Sequence, residues 1–178
     1  KGKKYSDSVR RTYGEVNLYV LADDSCVAES KKVKKVGEGF VKAITNRSYK
    51  NMDGYEGYEY YSDELYKKMD KLNDPKLTLD GYVKGKLIGE VVGRIYSVVT
   101  FTSESSARIT VYYDDKYIKG DKKWLENRKL KLNEVRGAVA YIEEKKQENG
   151  KWKMTSYILE IIGKAPWGVF FYGKETYV

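Results

Sequence analysis

After Pro75 the apolar residues of this chain recur at every second position, and that alternation constrains the fold more than any other feature. The stretch "SSARITVYYDD" sets Ala107, Ile109, Val111 and Tyr113 on one face of a strand. Residues 82–102 are rich in Val, Ile, Tyr and Thr, with Gly85, Gly89 and Gly93 predicting bends or bulges in curved strands. Val135 to Ile142 reads as the next strand, and Asn149-Gly150 predicts a type I′ hairpin after it. Strict alternation along the last strand puts Trp152, Met154, Ser156 and Ile158 on one face. It puts Lys153, Thr155, Tyr157, Leu159 and Ile161 on the other.

The earlier half has a different period. Val33, Val36, Phe40, Val41 and Ile44 form one apolar stripe of a helix, with Lys31, Lys32, Lys34, Lys35 and Lys42 around much of the remainder. Gly37 and Gly39 weaken that helix by roughly 1 kcal/mol each relative to Ala, so they predict a bend or the close passage of a sheet. Ser62 caps a second, shorter helix whose apolar side is Leu65, Tyr66, Met69 and Leu72, ended by Asp74-Pro75. Residues 121–132 read as a linker or short helical excursion around Trp124 and Leu125. Helices first and a mainly antiparallel sheet afterwards is an α+β organisation with the helices on one sheet face.

Composition removes whole classes of site. The chain has 178 residues and no His, so imidazole serves neither as general base nor as zinc ligand. Cys26 is the single cysteine; it forms no internal disulfide and reads as a packing or incidental thiol. No run approaches 18 apolar residues, so no membrane span is expected. Net charge is +8 with 18 Tyr, but the excess is spread: residues 1–50 carry +6, 51–75 carry −4 and 76–178 carry +6. Lys dominates over Arg and no nucleic-acid motif is present, so a solvated Lys-rich surface is the reading here and specific nucleic-acid binding is not expected.

No nucleotide loop or nucleophile elbow occurs, and the glycines of "GYVKGKLIGEVVG" belong to sheet curvature rather than to a phosphate loop. Tyr58, Tyr60 and Tyr61 lie beside Glu56 and Glu59 in a stretch read as a polar loop. Tyr112 and Tyr113 precede Asp114 and Asp115, read as turn carboxylates with ordinary acidity. Asp53, Glu56 and Glu59 offer oxygen ligands, but their spacing does not match a calcium loop. No catalytic, cofactor-binding or metal-binding residue is therefore assigned, and no cofactor is expected. The tail segment "APWGVFFYG" gathers Trp167, Phe170, Phe171 and Tyr172 as the candidate interaction residues, packed back on the domain or docked on another subunit.

The segments "KKVGEGFVKAITNRSYKNMDGY", "SARITVYYDD" and "VAYIEEKKQENGKWKMTSYILEI" resemble the opening helix and later strands of NTF2-like domains. The resemblance covers residues 25–163, leaving 1–24 as an N-terminal extension and 164–178 as a C-terminal apolar tail. It implies a cone: a strongly bent, mainly antiparallel sheet wrapped around helices and a central cavity. The family holds both enzymes and noncatalytic envelope, lipoprotein and conjugation-channel domains, so the fold leaves activity open.

The expected function is a noncatalytic bacterial cell-envelope accessory or protein-interaction domain, secreted or membrane-anchored. Its partner would be a protein or a second copy. Two alternatives stand beside it: a small apolar ligand held in an isomerase- or dehydratase-like cavity, and nonspecific nucleic-acid binding. The start "KGKKY" fits a chain that has lost a signal or anchor, and a cytoplasmic location stays open.

Overall fold

A computed structural model describes residues 24–164 and the pair Lys174–Glu175. Helix α1 (Asp24–Thr45) is followed by a 3₁₀ turn (Tyr58–Tyr60), α2 (Asp63–Lys71) and α3 (Asp74–Gly85). Strands β1 (Ile88–Ser103) and β2 (Ser106–Lys119) come next. Then α4 (Lys122–Asn127) leads to β3 (Arg136–Lys146), β4 (Trp152–Lys164) and the short β5 (Lys174–Glu175).

Each strand pairs antiparallel with its neighbour in sequence, giving the order β1-β2-β3-β4-β5. This open meander does not curl into a closed shape, which corrects the expected NTF2-like cone. The reason lies in the strand pairing: the first and last strands never meet, and α1 lies across one face instead of being wrapped. The glycines also act more locally than a cone requires. Gly93, at φ 68°, sits in a bulge where the register passes from Val92↔Asp114 to Tyr96↔Tyr112, and regular pairing resumes beyond it.

The core lies between α1 and the inner face of the sheet. Val33, Phe40 and Val41 of α1 are fully buried against Ala107, Ile109 and Val111 of β2, and Ala138, Ala140 and Ile142 of β3 complete that layer. Gly37 permits the approach, since a Cβ there would meet the Ile109 side chain at 3.0 Å. Ser62 caps α2 by accepting from the Leu65 N–H at 3.3 Å, while its own N–H donates to the Met154 carbonyl at 2.8 Å. Ser62→Ala should therefore cost about 1 kcal/mol in a denaturant melt. An unchanged midpoint would show that the cap bond carries no net stability.

Two local expectations change. Residues 74–85 are helical, not part of the strand region, because Pro75 falls in the first turn of α3 where its fixed φ suits a helix. The β3–β4 loop is wider than a type I′ turn. Gly150 alone has positive φ, at 76°, and its N–H donates to the Gln147 carbonyl at 2.8 Å. Among the described residues no helix is long and apolar enough to cross a membrane. This accords with the expected absence of a span, and it corrects the membrane-anchored expectation to this extent: no described helix supplies such an anchor.

Candidate functional site

Four arrangements of side chains stand out, one inside the core, one at the helix–sheet junction, one between β2 and β3 and one on the open face of the sheet. The first is a buried acid. The inward row of β3 runs Ala138, Ala140, Ile142 and then Glu144, which is 1% exposed. Neither carboxylate oxygen has a well-formed hydrogen bond, and the one polar group close to them is the backbone of Gly37, which passes over the side chain. Burial pushes the carboxyl up to about 9, opposed only by the Gly37 backbone, so it is protonated at neutral pH.

Glu144 also marks an irregularity in the sheet. It pairs with Met154 while Glu143 pairs with Ser156, so Thr155 is the extra residue of a bulge. The bulge reverses the facing of β4 halfway along. Trp152 and Met154 point into the core as expected, but Tyr157 follows them inward and Ile158 is exposed. The expected shared face of Trp152, Met154, Ser156 and Ile158 is corrected accordingly.

The second arrangement is aromatic. Tyr58 and Tyr61 are buried, which corrects their placement in a polar loop. Their rings lie 4.6 Å apart, Tyr61 shares a hydroxyl–hydroxyl bond of 3.0 Å with Tyr157, and Tyr58 donates to Asp74 Oδ2 at 3.0 Å. Burial holds Tyr58 and Tyr61 protonated well beyond neutral pH and raises Tyr157 to about 12. Phe40 closes the cluster, 4.9 Å from the Tyr157 ring. The phenols thus join the helices to β4.

The third is a charged pair at the β2–β3 junction. Asp114 and Asp115 lie within β2, not in a turn. Asp115 accepts two bonds of 2.9 Å from Arg136, whose guanidinium lies 4.6 Å from the Tyr117 ring centre. Burial raises the Asp115 carboxyl and the arginine opposes the rise. Asp53, Glu56 and Glu59, to which the sequence assigns no metal role, form hydrogen bonds within their own loop. Glu56 accepts from the Asp53 N–H and Glu59 from the Gly57 N–H, and no cluster able to hold a metal occurs among the described residues.

The fourth arrangement is the outer face of the sheet, which no helix among the described residues covers. Two adjoining rows cross the strands: Tyr96, Tyr112 and Val139 in one, and Val98, Thr110, Tyr141 and Ile158 in the other. Tyr96 is 65% exposed and Val98 59%, with Tyr112, Tyr141 and Ile158 between 39% and 46%, whereas Val139 is buried. Charges beside the rows are paired within the face, Arg108 with Glu143 at 3.2 Å and Lys116 with Glu90 at 3.1 Å.

Trp167, Phe170, Phe171 and Tyr172, the interaction residues expected from sequence, lie outside the described residues. Sequence reasoning passed over Glu144 and the outer-face rows. Both were available from strand parity, which carries the Ala138–Ile142 face on to Glu144 and sets Tyr112 opposite Val111 and Tyr113. In comparisons with known proteins, no family model and no curated protein matches the chain, so the NTF2-like resemblance gains no support there either.

Proposed function

We propose that the chain is a noncatalytic protein-interaction domain that binds a protein partner through the outer face of its sheet. The observation that carries this reading is the exposed apolar patch of Tyr96, Val98, Tyr112, Tyr141 and Ile158. Isolated exposed apolar residues are common on soluble proteins, but exposed Tyr, Val and Ile side chains gathered on one face and drawn from four strands mark an association surface. Tyr suits that role, since it presents a large rigid ring with a polar tip and loses little conformational freedom on binding. The paired charges at the edges favour an apolar partner over a strongly charged one.

Photocrosslinking in cells tests the proposal. A benzophenone amino acid at position 112 should give a discrete protein adduct, identified by mass spectrometry. Adding Tyr96→Ser and Tyr141→Ser should remove that adduct without lowering the melting temperature, because both rings are solvent-exposed. The same probe at Lys67, on the exposed side of α2, should give no such adduct. Equal labelling from both positions, or none from position 112, overturns the reading.

A further inference from the structure

We propose that α1 and the β1 bulge form a groove for a single phosphodiester strand, with the strand's phosphates read by lysines and one arginine. Two adjoining grooves of about 420 Å³ each flank the solvent side of α1 and share Glu38 and Lys42. Lys31, Lys34, Lys35, Lys42 and Arg94 line them, against the single carboxylate of Glu38. None of these five cations has an ion-pair partner among the described residues, whereas Lys32, Lys116, Lys122 and Lys146 each have one.

The groove has fixed walls. Three residues of β1, Gly93, Arg94 and Ile95, oppose the single Tyr113 of β2, so the strand bulges there. The bulge carries Arg94 into the same groove as Lys42. Two hydrogen bonds join α1 and the residue that follows it to β1 on either side of the bulge. Asn46 Oδ1 accepts from the Val91 N–H at 2.8 Å, and Ser97 Oγ donates to Glu38 Oε1 at 2.6 Å. Those bonds fix the backbones that carry the cations relative to one another.

The shape selects a strand over the other polyanions. From Lys31 to Lys42 the helix rises about 16 Å, enough for a few consecutive phosphates of an extended strand. A lipid surface is flat and would meet only the ridge of α1, leaving the recesses on both sides unfilled. An acidic peptide offers carboxylates, but the groove also carries an aromatic, the half-buried Tyr60 beside Gly39, and aromatics set among cations suit the unpaired bases of a strand. The basic groove and the apolar sheet face are built from different residues, so this inference does not rest on the protein-interaction reading.

Fluorescence anisotropy with a labelled oligothymidylate of about 12 nucleotides tests it. Binding should weaken as salt rises, with a log–log slope of about −2 to −3 for three or four phosphate contacts. Lys34→Ala, Lys42→Ala and Arg94→Ala together should cut affinity at least about tenfold at low salt. A control with Lys67→Ala, Lys68→Ala and Lys71→Ala has the same net charge and should bind as the natural chain does. All six side chains reach solvent, and circular dichroism melts confirm that both variants fold.

Equal losses in the two variants would show attraction to net charge alone and overturn the proposal. Undetectable binding at low salt would also overturn it. So would tighter binding to polyglutamate, or to vesicles containing phosphatidylserine, than to the oligonucleotide.

Discussion

Glu144→Gln should hold its stability as the pH rises from about 5 to 8, while the natural chain loses about 4 kcal/mol relative to it. The sign follows from the direction of the shift. Burial raises the carboxyl from 4.5 to about 9 in the folded chain. The unfolded chain therefore releases its proton first. Stability due to this group is complete below pH 4.5 and falls by about 1.4 kcal/mol per unit until pH approaches the folded value.

Few other groups interfere in that window. The chain has no His. Glu29 is held down to about 2 by Lys32, then Trp152 and Lys146, so its contribution is lost only in more acid solution. Asp115 is unchanged by the substitution and cancels from the comparison. The amide carries its own fixed cost of burial, so the pH dependence of the difference is the informative quantity. Urea melts of both proteins at about pH 5, 6.5 and 8 measure it. Parallel lines would mean that Glu144 is ionised and solvated in the folded chain, against the closed packing under Gly37.

How much of this was legible in the sequence depends on whether the burial of a residue is decided locally. The α1 stripe was readable because Val33, Phe40 and Val41 recur with the period of the helix that buries them. Ala107, Ile109, Val111 and Tyr113 were readable because β2 lies in the middle of the sheet with one face on the core. Helix α3 was obscured because its apolar residues do not follow one buried stripe: Leu77 is 63% exposed and Val83 48%. Alternation also failed at Thr155, where a single extra residue turns the rest of β4 over.

The candidate site was hidden for a different reason: its partners are far apart in the chain. Tyr61 looks polar in "YEGYEYYSDE", and its burial depends on a hydroxyl 96 positions later. Asp115 resembles a turn residue until Arg136, 21 positions on, closes over it. Whether a sheet curls or stays open depends on where bulges fall and which edges meet. Residue parity does not encode that, and so the same strand patterns matched a cone and an open meander equally well.

Trp152→Ala should destabilise the chain by about 3–5 kcal/mol. Trp152 is the first residue of β4, 3% exposed, with its ring 5.8 Å from Phe101 of β1. Its Nε1 donates to Glu29 Oε2 at 2.6 Å, so one side chain pins the start of α1 to the β3–β4 hairpin. Removing the indole leaves a cavity that the hairpin and α1, anchored by Met154 and Val33 beside it, have little freedom to fill. Glu29 keeps Lys32 at 2.7 Å and Lys146 at 3.1 Å, so the loss comes mainly from packing. Trp152→Phe separates the two contributions, since it restores most of the ring and removes only the N–H. It should lose clearly less than the alanine variant. With native stabilities commonly only about 5–15 kcal/mol, the alanine variant should melt well below the natural chain. Hydrogen exchange should show the first turns of α1 opening before the β2–β3 ladder. A cost below about 1 kcal/mol for Trp152→Ala would mean that the hairpin is not held by this indole, and equal losses for Ala and Phe would mean that the N–H bond to Glu29, not the packing, carries the effect.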